Sequence, residues 1–270
     1  MEETKTENSV IDERLSKVKN KIVVLSGKGG VGKSTFAVNF ASSLVQEGFK
    51  VGLLDADIHG PSIPTMLGIR DEQAMASDGV ISPVNVDGIR VMSIGFLLSG
   101  QDDPVIWRGP MKMNIIKQFL QDVDWGELDY LIVDCPPGTG DEPLSVFQLI
   151  GDVTGAVIVT TPQEVAASDV RKSVNFCLRL DLDVLGIVEN MSGFACPHCG
   201  KVTDIFKKGG GKVMADKFHV PYLGSIPIDP SIGISGDEGT PFVTRFAGSP
   251  SHQSFGEIVK ILNKSDKIKK

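Results

Sequence analysis

Long apolar runs are missing from this chain of 270 residues, and so is any excess of positive charge. No stretch approaches the roughly 20 apolar residues that cross a bilayer, and the first residues hold no signal-peptide core. A cytoplasmic location is therefore expected. With 27 basic against 34 acidic side chains the formal net charge is −7, which argues against broad nucleic-acid binding. Cysteine is scarce: four residues, the first at position 135. That number does not make a disulfide framework, and in a reducing compartment a close pair is metal-binding or redox-active. Internal repeats are absent. The ordinary apolar share of 41% fits a soluble globular chain, long enough for one large domain or two small ones.

What is present is a phosphate-binding signature. Gly27-Lys28-Gly29-Gly30-Val31-Gly32-Lys33-Ser34-Thr35 satisfies G-x-x-x-x-G-K-[ST]. Residues 21–26 read as a short buried strand and 35–47 as a helix, the context that the motif needs. Glycines let backbone N–H groups approach an anion, and the helix N-terminus adds partial positive charge. Lys33 can reach the β- and γ-phosphates, and the Ser34 hydroxyl can ligate Mg²⁺.

From residue 21 onward strand-like and helix-like runs alternate. Strands are expected at 51–55, 89–94, 130–134, 156–160, 184–189 and 222–226. Helices are expected at 110–120, 142–150, 166–180, 212–218 and 250–263, the last capped by Ser249. The strand runs are continuous rather than alternating, as in a parallel sheet covered on both faces. The fold class is α/β: a doubly wound, mostly parallel central sheet with helices on both faces. Residues 1–20 carry five acidic and four basic side chains. They read as a polar, partly disordered extension whose stripe of Val10, Ile11, Leu15 and Val18 docks on the main domain. Residues 21–270 read as a single ATPase domain.

Two acidic segments close strands where ligands of such sheets bind. Asp55-Ala56-Asp57 ends one, and Asp134 ends another and opens Cys135-Pro136-Pro137-Gly138-Thr139-Gly140-Asp141. Asp134 can hold the Mg²⁺ shell, and the Pro-Pro-Gly turn suits a segment that senses the γ-phosphate. Asp57 is assigned to orient the attacking water; the competing reading makes one of Asp55 and Asp57 a strand-end cap or an Mg²⁺-shell residue.

Lys28 inside GKGGVGKST resembles the deviant Walker A motif of the MinD/ParA/nitrogenase-reductase ATPases. Asp57-Ile58-His59-Gly60-Pro61-Ser62, Trp107-Arg108-Gly109-Pro110-Met111, Asp134 through Asp141, Glu189-Asn190-Met191-Ser192 and Ile226-Pro227-Ile228-Asp229 resemble its Mrp/ApbC branch. The match runs from about residue 21 to the end. The resemblance implies a P-loop ATPase that carries iron–sulfur clusters. It also implies that Lys28 reaches across a homodimer to the partner's ATP, that Asn190 contacts adenine, and that Pro227 and the loop through Asp229 line the base pocket. ATP and Mg²⁺ are the implied cofactors. The implied partners are apo iron–sulfur proteins and a cluster donor.

Cys196-Pro197-His198-Cys199-Gly200-Lys201 has the composition of a metal knuckle. One chain offers only this pair, whereas a tetrahedral thiolate site needs four sulfurs; two protomers related by a two-fold axis supply them. The resemblance implies a bridging [4Fe–4S] cluster at Cys196 and Cys199. Zinc accepts the same four thiolates, and a redox dithiol is the third reading. His198 is expected to face solvent. Some relatives carry a further N-terminal ferredoxin-like cysteine cluster; with no cysteine before Cys135, none is expected here. Two rival functions stay open. One is a MinD/ParA-like positioning ATPase with a structural zinc knuckle and a basic amphipathic tail over residues 257–270. The other is nitrogenase-reductase-like electron transfer.

Overall fold

The computed structural model describes residues 10–58, 60–97, 109–196, 198–205 and 208–269. In chain order the elements are β1 (Val18–Leu25), α1 (Lys33–Gln46), β2 (Val51–Asp55), α2 (Ile63–Met66), the hairpin β3 (Met75–Ser77) and β4 (Val80–Ser82), β5 (Val84–Val86), β6 (Ile89–Ser93), α3 (Gly109–Gln121) and β7 (Leu128–Asp134). There follow α4 (Asp141–Ile150), β8 (Gly155–Thr160), α5 (Glu164–Arg179), β9 (Val184–Ala195), β10 (Val202–Thr203), α6 (Gly210–Phe218), β11 (Tyr222–Ile228), α7 (Pro230–Asp237), α8 (Phe242–Arg245) and α9 (Pro250–Leu262).

Nine of these strands form one sheet in the order β10-β9-β8-β1-β7-β2-β6-β5, with β11 paired to β9. All its pairings are parallel except those of β5 with β6 and β10 with β9. This is the α/β architecture that the continuous apolar runs predict. Every residue of β2 and of β8 is buried. Successive side chains of a strand point to opposite faces, so helices must cover both. Helix α1 packs with α9 through stacked rings of Phe36, Phe40 and Phe255, and α4 meets α5 edge to face at Phe147 and Phe176. The cap of α9 is the expected one: Ser249 Oγ accepts from the His252 N–H at 3.2 Å.

The edges of elements differ from the sequence-based expectation. β1 begins at Val18, and Ile11, Leu15 and Val18 are buried in the core. β9 continues six residues past Glu189 to Ala195. Its second half pairs with β11 through Asn190 and Phe194 and with β10 through Phe194 and Ala195. The carboxyl ends of β1, β2 and β7 lie level, with Val24 opposite Asp134 and Asp134 opposite Asp55. That register brings the phosphate loop and both acidic segments to one edge. No helix among the described residues is long and apolar enough to cross a membrane.

Candidate functional site

The loop after β1 turns through left-handed Gly30 and Gly32, with φ of 76° and 80°, and feeds directly into α1. Gly32 is required twice: an L-residue resists that φ, and a Cβ there would stand 2.3 Å from Asn190 Nδ2. A cleft of about 210 Å³ opens over the loop. Its walls include Lys28, Lys33, Ser34, Thr35 and Asp57, the glycines Gly29, Gly30 and Gly32, and Pro137 of the turn after β7. Ser62 and Met66, at the start and end of α2, complete it; Ser62 was visible only as part of a motif and Met66 carried no sequence signal. The turn after β7 is tied to the start of the phosphate loop by the Gly138 N–H, which donates to the carbonyl of Ser26, the residue after β1, at 2.8 Å. Gly27 is packed against α5, where an added Cβ would meet Asp169 at 2.5 Å.

Lys33 Nζ donates to Asp134 Oδ1 at 2.7 Å, and Ser34 Oγ donates to Asp134 Oδ2 at 2.5 Å. Asp57 Oδ2 stands 3.9 Å from the same ammonium. Asp134 has no exposed surface. Burial pushes its carboxyl above the ordinary carboxylate range against the opposing pull of Lys33 and Ser34. Asp55 is likewise sealed and accepts from Ser93 Oγ at 3.0 Å and from the Asp57 N–H at 3.2 Å. Burial first, and then the nearby Asp134 charge, push Asp55 up to about 8. Of the two strand-end acids, Asp57 lines the cleft, while Asp55 is spent on Ser93 and the turn.

Asn190 donates from Nδ2 to the Val31 carbonyl of the phosphate loop at 2.8 Å. Its neighbour Glu189 is fully buried. Glu189 accepts from Ser192 Oγ at 2.6 Å and from the N–H groups of Gly209 and Gly211 at 3.0 and 2.6 Å. Each glycine of the run Gly209-Gly210-Gly211 has its own reason: Gly209 is left-handed (φ 86°), a Cβ at Gly210 would meet the Pro162 carbonyl at 2.7 Å, and one at Gly211 would press on Glu189 Cβ at 3.1 Å. In the sequence Glu189 stands only within the motif Glu189-Asn190-Met191-Ser192, with no role of its own. Asp229 caps α7, accepting from the Ser231 N–H at 3.0 Å and from Ser251 Oγ at 2.9 Å. Pro227 lies within β11. Neither is among the walls of the cleft over the loop.

The knuckle is the turn between β9 and β10. The Cys196 N–H donates to the Lys201 carbonyl at 3.0 Å and the Gly200 N–H to the Cys196 carbonyl at 2.8 Å. All four cysteines are free; Cys199 is exposed, Cys196 half-buried, and Cys135 and Cys177 buried. Backbone N–H groups of His198 and Cys199 and the Cys199 thiol hold the Cys196 thiol below its usual range. Burial pushes Cys177 up to about 12 and Cys135 higher still, so those two are inert small hydrophobes. His198 is exposed. Among the described residues no group of three or more His, Cys, Asp and Glu side chains could hold a metal ion. His59, Trp107, Arg108 and Pro197 lie outside the described residues.

A family model described as ParA: NUBPL iron-transfer P-loop NTPase matches residues 17–263. The chain belongs to this family. Among relatives of this NTPase, the iron–sulfur cluster carrier protein of Methanocaldococcus jannaschii is 53% identical over 94% of the chain and 87% of that protein. The carrier of the same name from Methanococcus maripaludis is 52% identical over 88% and 83%. A nucleotide-binding protein of Archaeoglobus fulgidus, solved with ADP and with cobalt, superposes with a TM-score of 0.79 at 42% identity, covering 91% of this chain and 98% of that one. The Pyrococcus furiosus cell-division ATPase MinD shares the fold, with a TM-score of 0.67 at 24% identity over 91% of this chain and 99% of that one.

Proposed function

We propose that this iron-transfer NTPase is an ATP-dependent carrier that delivers an iron–sulfur cluster to apo-proteins. The observation that carries the reading is the placement of two free thiols, Cys196 and Cys199, at the end of the strand that touches the phosphate loop. The cluster is cargo: a [4Fe–4S] unit bridging the thiolate pairs of two protomers, accepted from a donor protein and passed to an apo-acceptor.

ATP enters over Gly27–Thr35, where the loop N–H groups and Lys33 take the phosphates. The incoming phosphate competes with Asp134 for Lys33, so the buried pair opens as the nucleotide docks. The Ser34 hydroxyl and the Asp134 carboxylate converge as hard oxygen donors, the chemistry that suits Mg²⁺. When bound, Mg²⁺ neutralises charge on the phosphate oxygens. Asp57 orients the attacking water. Lys28 completes the partner's site, as a cation delivered in trans stabilises charge developing on the phosphates. Hydrolysis is then slow in the monomer and dependent on dimer closure. Asn190, with Pro227 near the end of β11 and Asp229 just after it, takes the adenine side. A labile cluster and free thiols fit a reducing compartment, the cytoplasm.

Anaerobic reconstitution with iron and sulfide tests this reading, with a Cys196→Ala/Cys199→Ala control. About four iron and four sulfide per dimer, absent from the control and transferable to an apo-acceptor, is the expected result. One tightly held zinc per dimer and no sulfide would make the knuckle a structural clamp.

A further inference from the structure

The phosphate loop and the knuckle are joined by a single stretch of strand. Asn190 precedes Cys196 by six residues, at most about 20 Å of extended chain. One end is attached to the loop by the bond from Asn190 Nδ2 to the Val31 carbonyl. That carbonyl shares a rigid peptide plane with the Gly32 N–H. A phosphate that captures the Gly32 N–H therefore sets the direction of the oxygen that Asn190 holds. Beside it, Glu189 is anchored by three donors. A buried carboxylate so satisfied is costly to move, and two of its donors belong to the start of α6 and the residue before it. Beyond this anchor the chain turns through left-handed Met191 (φ 58°) and Gly193 (φ 82°). Gly193 is closed in by β10, where a Cβ would stand 2.9 Å from Val202 Cγ1. The segment thus has one end on the nucleotide loop, a fixed point beside it, and the thiols at the other end.

We propose that Asn190 is a positioning residue that transmits occupancy of the phosphate loop to the Cys196–Cys199 knuckle, with Glu189 as the fixed pivot. The proposal rests on the carrier reading for its purpose, since it supplies a path by which nucleotide state alters the grip on cargo. Its test needs no cargo. In the metal-free full-length protein, iodoacetamide labelling of Cys196 and Cys199 is followed by mass spectrometry, empty and with saturating ADP or a non-hydrolysable ATP analogue. Buried Cys135 and Cys177 report any general opening. The expected result is a change of about fivefold or more in knuckle labelling on loading. Asn190→Ala, compared at equal occupancy established with a fluorescent nucleotide, brings the ratio close to one; Glu189→Gln lowers it too. Should Asn190→Ala not fold, Asn190→Ser, too short to reach the carbonyl, carries the same comparison. A wild-type ratio of one overturns the proposal, as does a full ratio in a loaded Asn190 variant. A full wild-type ratio that the Asn190 variants abolish, in a protein that takes up no sulfide, would uphold the coupling while sinking the carrier reading.

Discussion

Lys33 Nζ and Asp134 Oδ1 lie 2.7 Å apart with both side chains buried, so the ammonium meant for phosphate is held by a strand-end acid. Desolvating two charges is expensive, and removing one partner strands the other. Asp134→Ala leaves the Lys33 ammonium with the Ser34 hydroxyl at 3.3 Å and one carboxylate, Asp57, 3.9 Å away among the described residues. We expect it to cost about 3–5 kcal/mol of unfolding free energy by urea titration. ATPase turnover should fall about 100-fold or more, as the Ser34 hydroxyl loses its acceptor. A variant of wild-type stability would show that the pair is not the buried contact described.

Lys28 is different: it lines the cleft, its carbonyl accepts from Ser26 Oγ at 2.9 Å, and its ammonium has no hydrogen bond or ion pair among the described residues, while that of Lys33 is fully engaged. If its ammonium acts on the partner's nucleotide, Lys28→Ala should bind ATP within about threefold of wild type and lose about 1,000-fold in turnover. Mixing Lys28→Ala with Asp57→Ala protomers should restore part of the activity, because one composite site then keeps both groups. No restoration in the mixture would confine Lys28 to its own subunit.

The sheet was legible because its strands are apolar on both faces, and the phosphate loop because glycine, lysine and serine stand at fixed spacing. The second half of β9 was not. Asn190-Met191-Ser192-Gly193 is largely polar and carries left-handed residues, so no local pattern announces a strand; its pairing comes from β11, distant in sequence, and from β10 across the knuckle turn. Glu189 escaped for the same reason. A lone acid after a buried strand looks like an edge residue until α6 folds back to place two N–H groups upon it. Asn20 looked like part of a polar extension, yet it is fully buried because the far end of the chain returns to it.

Asp55 should leave a mark on stability. Its folded carboxyl holds a proton up to about pH 8, whereas the unfolded one releases it near 3.8. Between those values the folded state binds more protons, so unfolding free energy falls as pH rises from about 4 to about 8. Asp55→Asn accepts from the Asp57 N–H and donates to Ser93 without ionising. It should flatten this slope and be at least as stable as wild type at pH 8, read from urea midpoints between pH 4 and 9. Parallel slopes in the two proteins would place the dependence elsewhere.

The knuckle should be ready for metal before any arrives. Donors from His198 and Cys199 favour the Cys196 thiolate, the form that binds metal and attacks iodoacetamide. Labelling of Cys196 in the native apo-protein should therefore reach half its maximal rate at lower pH than in the urea-unfolded chain. Equal midpoints would mean that the turn between β9 and β10 does not hold its donors in solution.

Asn20 and Lys269 decide what the basic tail can do. Asn20 Nδ2 donates to the carbonyls of Lys269 and Asp129 at 2.9 and 3.0 Å, and Asn20 Oδ1 accepts from the Lys269 N–H at 2.7 Å. Ile268 is buried beside this grip, and Lys267 and Lys269 meet Asp183 and Asp152 at 3.0 and 3.7 Å. A segment held so, with Ile258, Val259, Leu262 and Ile268 covered and Ile261 the one exposed apolar residue of the tail among the described residues, has little left to offer a lipid surface. Asn20→Ala removes three part-buried hydrogen bonds that join two chain segments and should cost about 2 kcal/mol. Deleting residues 264–270 should lower the urea midpoint as well. Full-length protein should stay in the supernatant with anionic liposomes, with or without ATP. ATP-dependent pelleting that is lost on the deletion would mean that the tail releases from Asn20, and would revive the positioning-ATPase reading.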